Sequence, residues 1–306
     1  MRVHYRAIDG GNFGDDLNLE LWPELFPDLD RHDPDVVLYG IGTILGGDHD
    51  PGARQVVLGS GLGYRRTPRL DDRWDVRWVR GVHTARRLRL PPEKALGDAA
   101  LLWSALRTPA GASGAVRDGV GLVPHHATWS AFDWPAVAAA AGLRAVDPTA
   151  APRAVAEAVR RCTRVLTESL HGAIFADAMG VPWAPCVLSH RFNDFKWRDW
   201  SEGIGRPFAP CVADRPLVRA LGRGKGWTNR LARWSGLGGR SRRNALQPVG
   251  PSPSLDAERV AAQLAAFAAG EARFACSDPA QVARQRERML QACAEFARDY
   301  GLRFGG

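Results

Sequence analysis

The stretch Thr167-Glu168-Ser169-Leu170-His171-Gly172-Ala173-Ile174-Phe175-Ala176-Asp177-Ala178-Met179-Gly180-Val181-Pro182 decides how this chain is read. Arg164 to Thr167 ahead of it is short, apolar and bounded, as a buried strand is. Glu168 and Ser169 make a polar turn. Leu170 to Met179 then runs apolar at helical length and stops at Gly180 and Pro182, residues that end helices. A strand passing through a short turn into a helix is half of a strand–helix–strand crossover, which calls for a parallel sheet. The first helical turn, with Ser169, His171 and Gly172, presents free N–H groups, and such groups attract an anion. The alternative for His171 is a ring packed beneath the sheet.

The same rhythm extends in both directions. Upstream, Val3 to Ile8, Val36 to Ile41, Val56 to Leu58 and Val76 to Val79 read as buried strands, with helical spacing in Leu17 to Leu25 and Thr84 to Leu90. After a Pro, Gly, Ala and Ser cluster near 108–117 the pattern restarts. Strand Val120 to Val123, helix Trp134 to Ala141, strand Leu143 to Val146, helix Arg153 to Cys162 and strand Pro182 to Val187 flank the opening motif. Two further helices, Asp256 to Ala269 and Pro279 to Tyr300, follow, with Ser254 and Gly301 as expected caps. The expected organisation is a Rossmann-like half over 1–112, a second over 113–214, a basic Trp-containing segment over 215–253 and C-terminal helices over 254–306.

Composition narrows the class. The 306 residues, 45% hydrophobic and 24% charged, exclude a largely disordered chain. No apolar run approaches the roughly 20 residues of a membrane-spanning helix, and the N-terminal residues lack the pattern of a secretory signal, so a cytoplasmic location is expected. The five cysteines are widely spaced with no Cys-x-x-Cys pair, which points to buried thiols rather than a disulfide framework or zinc site; no metal site is expected. The net charge of +8 is concentrated between Arg215 and Arg243, where no acid occurs and where Trp227 and Trp234 would share a helical face. That segment suits an anionic membrane surface, or else a solvated charged loop. Nucleic acid is not expected as a partner.

Five other motifs fall where parallel sheets place ligands, at the carboxyl ends of strands. Gly10-Gly11-Asn12-Phe13-Gly14-Asp15-Asp16 follows the first strand, though either aspartate could be only a helix cap. Gly40-Ile41-Gly42-Thr43 and Gly59-Ser60-Gly61-Leu62-Gly63 follow the second and third. Arg80-Gly81-Val82-His83-Thr84 follows the fourth and offers a guanidinium fork for carboxylate or phosphate. Pro124-His125-His126 opens the second half, and either imidazole could act as general acid or base.

In combination, Glu168-Ser169-Leu170-His171-Gly172-Ala173-Ile174-Phe175-Ala176-Asp177-Ala178 and Gly11-Asn12-Phe13-Gly14-Asp15-Asp16-Leu17-Asn18 resemble the polysaccharide pyruvyl transferases, closest to the branch associated with succinoglycan-type exopolysaccharides. Gly40 to Leu45, Gly59-Ser60-Gly61, Arg80-Gly81 with Thr84-Ala85, and Leu96-Gly97-Asp98-Ala99 extend the likeness in order from about residue 10 to about residue 200. The resemblance implies two Rossmann-like domains facing across a cleft, as in the GT-B glycosyltransferases, with a C-terminal helix returning to the first domain. It implies phosphoenolpyruvate as donor co-substrate, no bound cofactor, and a lipid-linked oligosaccharide acceptor at the inner face of a membrane. Where the family has Arg-Leu-His-Gly, this chain has Ser169-Leu170-His171-Gly172. Another cation must then meet the donor's charge, and Arg80, Lys196 and Arg198 are the candidates.

The expected roles follow. Arg80, Ser169, Leu170, His171, Gly172 and Lys196 hold the donor. His125, His126, His171 and Glu168 serve acid–base chemistry, and Asn12, Asp15, Asp16 and Asn193 meet the sugar. Two rivals remain open: a nucleotide-sugar glycosyltransferase of the same fold, and a non-catalytic polyanion-binding protein.

Overall fold

Among the described residues nine short strands form two sheets, and every strand pairing in both is parallel. The structure, a computed structural model, describes residues 1–63, 66–107, 116–129, 133–189, 192–213 and 254–306. The basic segment with Trp227 and Trp234, and most of the expected junction near 108–117, lie outside the described residues.

The first sheet has the sequential order β1 (Arg2–His4), β2 (Val36–Tyr39), β3 (Arg54–Leu58), β4 (Trp74–Trp78). All four residues of β2 are buried, as expected of a strand covered on both faces. Around this sheet stand α1 (Phe13–Asp16), α2 (Asn18–Leu25), α3 (Val82–Leu88) and α4 (Ala100–Arg107). The first strand stops at His4 rather than running to Ile8. The helix expected from Leu17 to Leu25 is α2, preceded by the separate short turn α1. Helix α4 was not foreseen.

The second sheet is ordered β6 (Leu143–Ala145), β5 (Val120–Val123), β7 (Arg164–Thr167), β8 (Trp183–Val187), β9 (Cys211–Val212). Counted within this half the order is 2-1-3-4-5, so chain direction reverses across the sheet between β5 and β7. A crevice opens at such a switch point because the two outgoing loops diverge to opposite faces. Those loops carry His125-His126 and Glu168 to His171.

This half also holds α5 (His126–Trp129), α6 (Trp134–Ala140), α7 (Pro152–Arg160), α8 (Leu170–Ala178) and α9 (Asp194–Gly203). Helix α8 is buried almost all round, which is why its sequence is apolar on every face.

One continuous apolar cluster crosses between the halves. Phe13, Trp22 and Trp103 of the first pack in the same core as Leu170, Phe175 and Trp197 of the second, and Trp103 stacks on Phe175 with ring centroids 5.1 Å apart. The C-terminal helices are α10 (Ser254–Ala269), packed on α6, and α11 (Pro279–Tyr300). Ser254, expected as a cap, is the first helical residue of α10. Gly301 closes α11 in the left-handed conformation at φ 67°, as its sequence position suggested.

Helix α11 does return to the first half. Arg77 Nη1 donates to Asp299 at 2.7 Å, Tyr300 donates to Asp75 at 3.0 Å, and Phe296 packs edge-on to Phe26. Among the described residues no helix is long and apolar enough to cross a membrane. Four of the five free cysteines are buried and Cys276 is half-buried.

Candidate functional site

The two motifs with the most specific sequences meet face to face. Phe13 and Gly14 open α1, and His171 stands in the first turn of α8. The Phe13 and His171 rings lie edge to face at 6.2 Å, and Phe13 makes a similar contact with Phe175 at 5.3 Å. A Cβ at position 14 would overlap His171 Nδ1, so glycine there is what lets the imidazole approach. The backbone of Phe13 is fixed from the second half as well, donating to Pro148 O at 3.1 Å.

Around this contact stands a cluster of ionisable side chains: Asp15, Asp98, His125, His126, His171 and Lys196. Lys196 is the common neighbour, because its positive charge acts on the other five. Its ammonium lies 3.5 Å from His125 Nε2, with the side chain 8% exposed. Burial pushes the Asp15 carboxyl up to about 6; Lys196 and a hydrogen bond from Asn12 oppose the rise, while Asp16 and Asp98 add to it. Asp98 is raised to about 6 by burial too, opposed chiefly by Arg80. The imidazoles go the other way. Burial, then Lys196, then Arg80 and His126 lower His171 to about 3. Burial and Lys196 lower His126 to about 4, and His125 falls well below its usual range for the same two reasons, largest first. Near neutral pH the site therefore holds three uncharged imidazoles and two carboxyls raised to about 6.

A buried latch positions Lys196. Asp199, one turn further along α9, is fully buried and accepts from Arg80 Nε at 3.1 Å, from Thr84 Oγ1 at 2.7 Å and from Thr84 N at 2.7 Å. Arg80 also donates to Thr43 Oγ1 and to Leu62 O, each at 2.7 Å. At Gly81 a side chain would collide with the Asp199 carbonyl. Helix α9, which follows the second sheet in the chain, is thus bolted onto the start of α3 in the first half. Asn193 caps α9, accepting from Lys196 N at 3.3 Å.

The expected site residues divide accordingly. His125, His126, His171, Lys196 and Asp15 come together. Arg80 lies behind them with its guanidinium committed to Asp199, Thr43 and Leu62, and contributes through its field. Arg198 is half-exposed, 3.7 Å from Asp194 and over the Phe208 ring, so it is not the cation of this cluster.

Ser169 caps α8 by accepting from Gly172 N at 3.4 Å, while Leu170 is core. Asp16 accepts from Asn12 N at 3.1 Å and closes the α1 turn. Glu168 is buried, with its carboxylate accepting from His125 N, Thr128 Oγ1 and Leu188 N at 2.8–3.1 Å. It ties the His125 loop to the end of β8. Asp98 and Asp199 were not singled out from sequence as site residues; the signal available for Asp98 was its place in the Leu96-Gly97-Asp98-Ala99 run of the family resemblance.

The family model described as polysaccharide pyruvyl transferase matches residues 130–190, the stretch that contains the Leu170-His171-Gly172 turn. The chain is similar to the succinoglycan biosynthesis protein ExoV of Rhizobium meliloti (strain 1021), with 38% identity over 213 residues, covering 69% of this chain and 67% of that protein. No solved structure matches. A relative this similar over two thirds of both chains, with the family's own model falling on the turn that holds His171, leads to one conclusion: the chain is a transferase and belongs to the polysaccharide pyruvyl transferase family.

Proposed function

We propose that the protein transfers a pyruvyl group from phosphoenolpyruvate to two hydroxyls of one sugar in an exopolysaccharide repeat unit, forming a cyclic ketal and releasing phosphate. The observation that carries the reading is the environment of Lys196: one buried ammonium among three neutral imidazoles and two carboxyls of raised pKa, at the switch point of the second sheet. The ExoV similarity supports an exopolysaccharide acceptor.

The chemistry needs a proton for the enol methylene, acceptors for two hydroxyl protons, and positive charge for phosphate and carboxylate. Asp15 in its protonated form delivers the proton to the methylene, leaving an oxocarbenium-like carbon that the first hydroxyl attacks. His125 or His126 accepts that hydroxyl's proton. The second hydroxyl displaces phosphate, which leaves as the hydrogen phosphate dianion with one of the two protons, and the other restores Asp15. Lys196 binds the donor's anionic groups, with Arg80 adding field from behind. His171 lines the donor pocket. Asn12 and Asn193 meet the sugar. The acceptor would be lipid-linked, and the segment 215–243 would meet anionic lipid.

The test is phosphate release from phosphoenolpyruvate with and without oligosaccharide acceptors, followed by mass analysis of the product. Acceptor-dependent release with a ketal product is expected. No release, together with thermal stabilisation by a nucleoside diphosphate, would replace this reading with a sugar-nucleotide transferase.

A further inference from the structure

Two buried polar atoms in the site have no hydrogen-bond partner, and they face each other. His171 Nε2 and Asp98 Oδ2 are both inaccessible to solvent and unsatisfied, 3.9 Å apart. Leaving either buried and unpaired is costly, and the cost falls away if they share a proton. The other Asp98 oxygen is already used, with Oδ1 accepting from Ala100 N at 3.0 Å at the start of α4. The ionisable nitrogen that faces Oδ2 is His171 Nε2. On the ring, Nε2 is inaccessible and the Nδ1 edge lies against Gly14, so the imidazole is held between Asp98 and α1.

We propose that Asp98 is a positioning residue that, by sharing a proton with Nε2, sets the tautomer and the orientation of the His171 ring, whose Nδ1 edge packs against Gly14. An ionised Asp98 accepts from Nε2–H, which leaves the lone pair on Nδ1. A protonated Asp98 donates to Nε2, which puts the ring proton on Nδ1. The ring is neutral in both states, and one proton has moved onto the pair. The atoms must approach by about 1 Å to reach hydrogen-bond distance, a closing motion between the starts of α4 and α8.

Every charged group facing Asp98 bears on its titration: Arg80 and Lys196 favour the carboxylate, and Asp15 and Asp199 disfavour it. Burial outweighs them and places the titration near pH 6, so the exchange falls within reach of ordinary buffers.

This inference rests on His171 lining the donor pocket, and its test does not require turnover. Full-length protein labelled with 15N in its imidazoles would be compared with Asp98→Asn, using His171→Asn to assign the resonances. In Asp98→Asn the side-chain oxygen keeps the Ala100 cap, and the amide donates to Nε2 at every pH. At pH 8 the wild type is expected to carry its proton on Nε2 and the variant on Nδ1, so the two types of nitrogen resonance exchange places. The same tautomer in both folded proteins would overturn the proposal. Should Asp98→Asn not fold, titration of the wild type from pH 8 to pH 5 serves instead: exchange of tautomer with a midpoint near 6 is expected, and an unchanged tautomer overturns it. In kinetics, Asp98→Asn should lower kcat at least tenfold with KM for phosphoenolpyruvate little changed. Absence of phosphate release from the wild type would defeat the pyruvyl transfer reading and leave the tautomer result standing.

Discussion

Replacing Asp199 by alanine should unfold the site from behind. The Arg80 guanidinium is 1% exposed and would lose its buried counter-charge, and Thr84 would lose acceptors for both its N–H and its hydroxyl. Breaking a buried pair by removing one partner costs about 3–5 kcal/mol, because the remaining charge stays desolvated. The unsatisfied Thr84 groups add to that, so a loss of at least about 3 kcal/mol is expected. Asp199→Asn keeps the shape and one acceptor and should lose about 1–3 kcal/mol. Urea denaturation followed by tryptophan fluorescence measures both, with the midpoint falling at unchanged slope. The pairing itself is isolated by a cycle with Arg80→Met, Asp199→Leu and the double variant, in which the double variant should recover much of the loss. A loss below about 1 kcal/mol for Asp199→Ala, or a coupling below about 0.5 kcal/mol, would refute the latch.

Four more outcomes follow from the same geometry. Gly14→Ala places a methyl where His171 Nδ1 stands, so phosphate release should drop at least tenfold at a temperature where circular dichroism shows a folded chain; full turnover would separate His171 from the site. Asp15 is raised from 3.8 to about 6, so its contribution to stability is fully present below about pH 4 and is lost as pH rises through 6. Asp15→Asn should therefore be more stable than wild type at pH 8, by up to about 3 kcal/mol at ~1.4 kcal/mol per pKa unit, and not at pH 4. His126 and His171 have the opposite sign: their neutral forms stabilise the protein above about pH 6.5, and that stability is lost as pH falls toward 4 and 3. Thermal melts of Asp15→Asn and His171→Asn from pH 4 to 8 check both signs. Glu168→Gln turns an amide against the backbone N–H groups that its carboxylate accepts, and should lower stability by about 1–3 kcal/mol with activity falling in parallel; abolished turnover at undiminished stability would instead make Glu168 the proton carrier.

Local signals placed most of the elements. Strands β5 and β7 and helix α11 fall where hydrophobic runs, turn residues and caps put them, because those choices are made within a few residues. Helix α4 was missed although Asp98 caps its start, which is a local helix signal like the others. The meeting of His125, His126 and His171 in one cluster was legible from their positions just past strand ends, since in a parallel sheet those positions share one edge.

What sequence by itself determined, then, is the α/β class, the strand-to-helix turns and the family resemblance, all of which depend on neighbours in the chain. Tertiary structure alone decided that Arg80 is spent on Asp199, that Lys196 rather than Arg198 is the buried cation, and that Asp98 faces His171. Each of these turns on residues from far apart in sequence meeting out of water, where burial moves a pKa by two units or more and one missing Cβ admits a ring.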